Sequence, residues 1–287
     1  MATIYAMEGD RDWSNTGSFN TAIDGSGSAG LPTTGDTLIV FGETRVTAGH
    51  NGLAAVDLAA FYVQGRGNLS GTAAITLQVS DGGAGLAVIS NGSGRLQIIS
   101  GTAGIDTLVW NPRSGGAILS LESGTVPDLR WQNGVFEQQS AAVVTTMTKT
   151  SASRGMIYDG STAITTLYNL AGNLECARSV TTCWNTAYLL AQGDAALATI
   201  NNFGRINDRS SVAPTTLNQY AGVYSPAGSP VVRNITTINR RGGAVVTHVQ
   251  GREILTAGTY NNFTGQPNTL AAESANLFSD AGGIANG

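Results

Sequence analysis

Apolar residues recur along this chain in short, strand-length groups and not with helical spacing. The clearest groups are segments in which threonine precedes an apolar residue: VTTM ending at Met147, ITTL at Leu167, VTTC at Cys183, LATI at Ile200, PTTL at Leu217 and ITTI at Ile238. Neighbouring ends lie 20, 16, 17, 17 and 21 residues apart, and weaker echoes end at Leu108 and Leu129. Steps of this size are too short for a repeated helix pair and are typical of one coil of a solenoid.

The segments between these groups are rich in Asn and Gly, as in NLAGNL and NNFGRIND. Both residue types tolerate the positive φ angles that tight bends need, and Thr favours strands. We therefore predict an all-β fold, a parallel β-helix or β-solenoid with coils of about 16–21 residues, capped at both ends. Its core would contain a stack of one residue per coil: Met147, Leu167, Cys183, Ile200, Leu217 and Ile238.

Asparagines recur at a fixed offset from this stack. Asn169, Asn185 and Asn202 each follow their stack residue by two positions, which predicts a ladder of side-chain amides at successive turns. The alternative is that Asn is simply common in turns. Strand alternation would place Ile164 and Leu167 on opposite faces, so either the chain bends between them or self-association covers the second face.

The sequence divides into three regions that differ in composition and repeat pattern. We predict an N-terminal cap or arm at 1–50, a β-solenoid at 51–254, and a C-terminal cap or partner-binding arm at 255–287. Between residues 53 and 104, short apolar strands alternate with Gly-rich turns at steps shorter than those downstream. These strands fit either shorter coils or hairpins.

Composition narrows the function classes. The 287 residues are 41% apolar, which is enough for a sizeable core, and only 12% are charged. With a net charge of -4 and Lys149 as the single lysine, the chain has no basic stripe for nucleic acid. Its apolar runs are too short to span a membrane, its N-terminus does not read as an export signal, and Cys176 and Cys183 are expected to be free thiols. We expect no cofactor and no metal.

Candidate chemistry is sparse. Glu175, Asp194 and Asp208 follow successive stack residues, and the shared offset of eight residues could place Glu175 and Asp208 on one edge as a carboxylate pair for glycoside cleavage. The simpler interpretation is solvated turn charges, and we predict no catalytic residues. The aromatic residues that follow the stack are either a sugar-binding surface or rim packing: Tyr168, Trp184, Phe203 and Tyr220.

The N-terminal region has a Trp-Ser-Asn segment at residues 13–15, a loop of small residues, and then LPTTGDTLIV leading into the coils. This pattern resembles bacteriophage β-solenoid virion structural proteins of the capsid decoration or cement type. The resemblance implies a non-enzymatic homotrimer, made in the host cytoplasm, that binds the major capsid protein on the capsid surface. A second implied function is a tail spike or fibre component that binds, or binds and cleaves, host surface glycans.

Overall fold

The computed structural model describes residues 2–48, 56–64, 68–71, 75–79, 86–89, 95–226, 232–246, 248–249, 252–253 and 255–264. Over these residues the chain is an all-β solenoid of stacked parallel coils, with no α-helix and one 3-10 turn at Thr16–Ser18. It divides into two compact units, residues 1–156 and 157–287.

The first unit contains thirteen complete strands. They are β1 (Thr3–Ala6), β2 (Gly9–Asp12), β3 (Phe19–Asn20), β4 (Thr37–Val40), β5 (Glu43–Ala48), β6 (Ala60–Val63), β7 (Asn68–Gly71), β8 (Ile75–Val79), β9 (Leu86–Ile89), β10 (Arg95–Ile105), β11 (Thr107–Trp110), β12 (Ile118–Trp131) and β13 (Val135–Lys149). The short strand β14 (Gly155–Ile157) spans the sequence boundary between the units.

One face of the first unit is a continuous parallel stack. It runs through β1, β4, β6, β9, β11 and the C-terminal halves of β12 and β13. Its central column of buried residues is Ile4, Leu38, Phe61, Ala87, Leu108, Leu129 and Met147. The predicted stack residue Met147 therefore lies in one register column with Leu108 and Leu129, where the two weaker sequence echoes end.

The N-terminal cap is shorter than the sequence predicted. Strand β1 already pairs in parallel with β4, so the solenoid begins at residue 3 and not at residue 51. The other edge of β1 is covered by β3, which runs antiparallel to it. Trp13 and Phe19 are both buried beside this edge, with ring centroids 5.5 Å apart. Because an antiparallel strand ends the parallel stack and protects its open edge, the cap is the segment between β1 and β4.

The strands between residues 53 and 104 form coils and not hairpins. Strands β6, β9 and β11 pair in parallel, as do β8 and β10. The alternative of shorter coils is also wrong, since the aligned residues Phe61, Ala87 and Leu108 lie 26 and 21 residues apart.

The second unit is built of shorter coils. Its strands are β15 (Ile164–Asn169), β16 (Asn173–Cys176), β17 (Val180–Asn185), β18 (Tyr188–Ala191), β19 (Leu197–Asn202), β20 (Arg205–Asp208), β21 (Thr216–Gln219), β22 (Val223–Ser225), β23 (Arg233–Arg240), β24 (Ala244–Val245), β25 (His248–Val249), β26 (Arg252–Glu253) and β27 (Leu255–Asn262). Each coil supplies one strand to each of two faces, except that β25 and β26 form an antiparallel pair.

On the first face of this unit, β15, β17, β19, β21, β23 and β27 pair in parallel. The register aligns Leu167, Cys183, Ile200, Leu217, Ile238 and Tyr260. Strand β27 therefore adds a further coil inside the segment predicted as a C-terminal cap, and residues 265–287 lie outside the described residues.

The packing of Ile164 and Leu167 resolves the alternation problem. Both are buried, while Thr165 between them is exposed and Thr166 is half-buried. Two outward residues in a row mean that the chain bends here, so both apolar side chains enter the core of their own coil. Of the two alternatives, the bend is therefore the one observed, and the burial of Ile164 and Leu167 does not require a second copy.

Candidate functional site

The outer surface of the second unit carries two ordered columns of side chains. The first column is formed by the residue after each stack position, of which Trp184 is exposed and Asn201 is buried. The register aligns Tyr168, Trp184, Asn201, Asn218, Asn239 and Asn261. Three positions after the stack residue, the chain turns a corner, and each corner residue donates its backbone N–H to the coil before it. These corner residues include Thr186, Phe203, Tyr220, Arg241 and Phe263.

Side chains at this corner form one continuous stack. The rings of Phe203 and Tyr220 lie 4.6 Å apart at an angle of 2°, and Trp184 stacks on Phe203 at 6.5 Å and 15°. The Arg241 guanidinium lies 5.8 Å from the Tyr220 centroid and 4.9 Å from that of Phe263. We call these five residues, together with the exposed Leu170 at the same corner, the aromatic strip.

The strip presents ring edges to solvent. Both faces of Phe203 and of Tyr220 are covered by their neighbours in the stack. A sugar that binds by stacking needs a free ring face, and in the centre of the strip none is available. Of the four aromatic residues predicted from the sequence, Trp184, Phe203 and Tyr220 lie in one stack, and Tyr168 is not part of it. Arg241 and Phe263 were not predicted, although both keep the same offset of three from Ile238 and Tyr260.

An amide ladder lies beside the strip. Asn218 donates to Asn201 at 3.0 Å, Asn239 to Asn218 at 2.9 Å, and Asn261 to Asn239 at 2.9 Å. We call this the outer ladder. Because each amide has two N–H groups and an oxygen with two lone pairs, hydrogen-bonding capacity remains on the surface after the ladder is made.

The predicted Asn ladder lies inside the coil. Asn169 donates to Asn185 at 2.7 Å, Asn185 to Asn202 at 2.9 Å, and Asn202 to Gln219 at 3.0 Å. All four side chains are buried, and this inner ladder also satisfies backbone carbonyls in the turns, such as that of Tyr188. Gln219 was missed, although it keeps the offset of two from Leu217.

Asp208 is a buried structural carboxylate and not a solvated turn charge. Its Oδ1 accepts hydrogen bonds from Ser210 Oγ at 2.7 Å and from Arg233 Nη2 at 3.1 Å, and its Oδ2 accepts one from Tyr224 Oη at 2.7 Å. The Arg233 side chain is fully buried, as is Asp208. Burial raises the pKa of Tyr224 well above its ordinary value, and the neighbouring Asp208 adds to this. The cluster ties three coils together.

The three candidate carboxylates do not form a catalytic pair. Glu175 shares its register column with Leu190 and Asn207, whereas Asp208 shares the adjacent, inward-facing column with Cys176 and Ala191. Asp194 is exposed in a turn and accepts a hydrogen bond from Ser211 Oγ at 2.5 Å. The expectation that equal offsets place Glu175 and Asp208 on one edge is therefore wrong.

Both cysteines are free thiols in the core. Burial raises the pKa of Cys176 to about 11 and raises the pKa of Cys183 further. Since the thiolate is the nucleophile, neither thiol has the electronic character of a reactive cysteine. Cys183 fills its place in the stack as a small apolar side chain.

The N-terminal end of the first unit carries a shallow cavity of about 370 Å³. Met7, Ile23 and Phe41 form its apolar wall, and Glu8 and Asp24 contribute carboxylates. Ile23 and Phe41 are exposed, as is Leu31 in the cap segment. Ile23 and Phe41 line the cavity together and form an exposed apolar surface that a protein partner can bury.

Within the described ranges, no group of three or more His, Cys, Asp or Glu side chains is placed to bind a metal ion. The same residues contain no helix with the length and apolarity needed to cross a membrane. Comparison of the chain with known protein families, curated proteins and solved structures finds no match.

Proposed function

We propose that this chain is a non-enzymatic bacteriophage structural protein, a homotrimeric capsid decoration or cement protein that stabilises the viral shell. Its partner is the major capsid protein, and its site of action is the capsid surface of the virion, after synthesis in the host cytoplasm. The N-terminal Trp-Ser-Asn and LPTTGDTLIV pattern supports the assignment to this class. The mechanism is mass action, because a subunit that binds only the assembled shell stabilises it by its binding free energy.

The observation that carries the proposal is the way each coil is joined to the next. The inner ladder, the outer ladder and the aromatic strip each join side chains at the same position in neighbouring coils. These contacts hold the surface side chains in place without a bound ligand. A structural subunit that must resist mechanical stress requires such a surface. The exposed residues Ile23, Leu31 and Phe41 supply the apolar surface for the contact with the shell.

The test is to mix purified protein with capsids that lack it and to image the pelleted particles by cryo-electron microscopy. Regularly placed trimeric knobs are expected. A Phe41→Ser variant should pellet less, whereas Val212→Ser, which changes an equally exposed apolar residue in the second unit, should pellet like the wild type. Bare shells with all of the protein left in the supernatant would overturn the proposal.

The second candidate function is glycan binding by a tail spike or fibre component. Trp184 favours it, because this indole is exposed and is the first ring of the stack that continues through Phe203 and Tyr220. Glycan binding predicts a sugar-dependent signal that Trp184→Ala abolishes and that Phe203→Leu reduces. Cleavage additionally predicts product release that Glu175→Gln stops. Equal sugar binding by the wild type and Trp184→Ala would exclude this site.

A further inference from the structure

We infer that the cavity at the N-terminal end of the first unit is the docking site for a partner segment that carries an apolar side chain beside a basic one. This site rests on the proposed function, because the segment belongs to the major capsid protein, and it adds the chemistry by which that partner is recognised.

The cavity is large enough to enclose side chains of a partner. Its volume of about 370 Å³ lies within the range of about 300–1,000 Å³ that ligand sites occupy. Met7, Ile23 and Phe41 form its apolar wall, and Ile23 and Phe41 are 49% and 39% exposed. Covering these side chains with an apolar residue of the partner removes their surface from water, which is favourable. The wall therefore specifies the apolar half of the segment.

Two exposed carboxylates border the same cavity. The Glu8 side chain lies directly against Gly42, where a Cβ would collide with it, so the glycine leaves the space that this carboxylate occupies. Asp24 accepts hydrogen bonds on its Oδ1 from Ser26 Oγ at 2.6 Å and from the Ser26 backbone N–H at 3.0 Å, and these bonds lower its pKa. Among the described residues, neither carboxylate forms an ion pair. Both are therefore available to a cation of the partner.

The third charged residue of the cavity, Arg11, is bound to the backbone. Its Nε donates to the Glu8 carbonyl oxygen at 2.6 Å, and the residue is half-buried. The lining thus carries two negative charges and one positive charge. Its net charge of -1 leaves room for one more cation.

The distribution of charge along the chain also selects a basic partner at this end. Residues 1–48 contain six Asp and Glu residues and two arginines, a net charge of -4. Since the whole chain has the same net charge of -4, the rest of the chain contains equal numbers of acidic and basic residues. Charge complementarity therefore favours a basic segment over an acidic one. Two copies that met through this end would bring like charges together.

An arginine or lysine side chain matches both parts of the cavity. Its methylene stem can pack on Ile23 or Phe41 while its charged end reaches Glu8 or Asp24. The neighbouring apolar residue of the segment then covers the rest of the wall. One short segment thus neutralises the cavity and buries its exposed apolar side chains.

The first test uses the full chain and two synthetic peptides, without shells. The probes are acetyl-Gly-Leu-Arg-Gly-amide and acetyl-Gly-Leu-Glu-Gly-amide, and their binding is followed by nuclear magnetic resonance titration. We expect the Arg peptide to bind about fivefold tighter than the Glu peptide at low salt, and the difference to shrink at about 1 M salt, where exposed charges are screened. Equal binding, no binding of either peptide, or a preference for the Glu peptide would overturn the inference.

Paired variants assign the preference to the cavity. The double variant Glu8→Gln with Asp24→Asn keeps the size of both side chains and removes both charges, so it should lose the preference for the Arg peptide. Asp194→Asn is the matched control, because Asp194 is also an exposed carboxylate that accepts a serine hydroxyl, that of Ser211 in the second unit. Circular dichroism of all three proteins verifies the fold. A double variant that keeps the preference would contradict the site.

Shell binding separates this site from the proposed function. In the pelleting assay at low salt, the double variant should need a roughly tenfold higher concentration to half-saturate the shells, and Asp194→Asn should behave like the wild type. If the wild type decorates shells and the double variant binds them equally well, the docking site is wrong and the proposed function stands. If the wild type leaves shells bare but prefers the Arg peptide, the proposed function is wrong and the cavity still recognises an apolar and basic segment. Self-association of the wild type that the double variant abolishes would assign the cavity to a second copy and overturn the inference.

Discussion

At the residue scale, the amide side chains buried in the second unit hydrogen-bond to one another from coil to coil. The inner ladder places four amides in the core, and each donates to the next. A buried amide without partners is costly, whereas a ladder converts the same groups into links between coils.

Replacing Asn185 by Ala tests this role. The change removes one of the two acceptors of the Asn169 amide and one of the two donors to Asn202 Oδ1 inside the core. We expect the free energy of unfolding to fall by about 1–3 kcal/mol, as measured by chemical denaturation. Asn218→Ala in the half-buried outer ladder is the control, because water can replace its bonds there. Equal losses for the two variants would contradict the assignment.

The burial of Lys149 predicts that the free energy of unfolding depends on pH. Lys149 is fully buried, its Nζ lies 4.7 Å from the Trp131 ring centroid, and burial lowers its pKa to about 8. In the unfolded chain the pKa is about 10.4. Between these values the unfolded state binds more protons than the folded state, so this residue's contribution to stability rises with pH and its penalty is largest below pH 8.

The variant Lys149→Met removes this penalty. We expect it to be more stable than the wild type at neutral pH, with the difference shrinking as pH rises from about 8 toward about 10.4. The measurement is the difference in unfolding free energy between the two proteins at each pH, which cancels the other titrating groups. A difference that stays constant over this range would show that Lys149 does not carry the effect.

At the element scale, the sequence predicted the strands that repeat a pattern and missed those that do not. Leu167, Cys183, Ile200 and Leu217 align because each opens the same turn after the same Thr-containing strand. Strand β1 gave no such signal, since the cap lies between Ile4 and Leu38 and interrupts the period.

Glu175 and Asp208 show why an equal sequence offset does not predict an equal position when a turn lies in between. Glu175 and Asp208 both lie eight residues after a stack residue, but the turn from Asn169 to Leu174 is one residue longer than the turn from Asn202 to Ile206. Because side chains alternate along a strand, one residue reverses the face. The sequence could not reveal this without the turn lengths. Glu175 therefore points outward and Asp208 inward.

Substitutions at two glycines distinguish the energetic cost of a left-handed backbone conformation from the cost of a steric clash between coils. Gly193 and Gly222 both have φ of +64°, but only at Gly222 would a Cβ collide with a backbone carbonyl, that of Gly204 in the preceding coil. We expect Gly193→Ala to lower the free energy of unfolding by about 1–2 kcal/mol, the cost of the left-handed conformation. Gly222→Ala should cost more, since the coils must also separate. Thermal and chemical unfolding of both variants gives the comparison, and equal costs would exclude the close contact.

At the scale of the whole molecule, the second unit is a one-dimensional stack in which each coil contacts its neighbours. Leu167, Cys183, Ile200 and Leu217 pair in register with the stack residues directly before and after them. Stability in such a stack is close to a sum of coil and interface contributions. A complete coil is therefore the unit that can be removed without changing the contacts of the rest.

Deletion of residues 186–202 removes one such coil and joins Asn185 to Phe203. By register, Cys183 would then lie against Leu217, and Asn185 would donate to Gln219 as Asn202 does now. We expect a folded protein with the same strand signal in circular dichroism and a lower unfolding free energy. Deletion of residues 186–193 alone removes β18 but keeps β19. The remaining part of this coil then no longer matches the register of its neighbours, so this deletion should unfold the unit. If both deletions were equally disruptive, stability would depend on contacts beyond neighbouring coils, and the stacked-coil description of this unit would be insufficient.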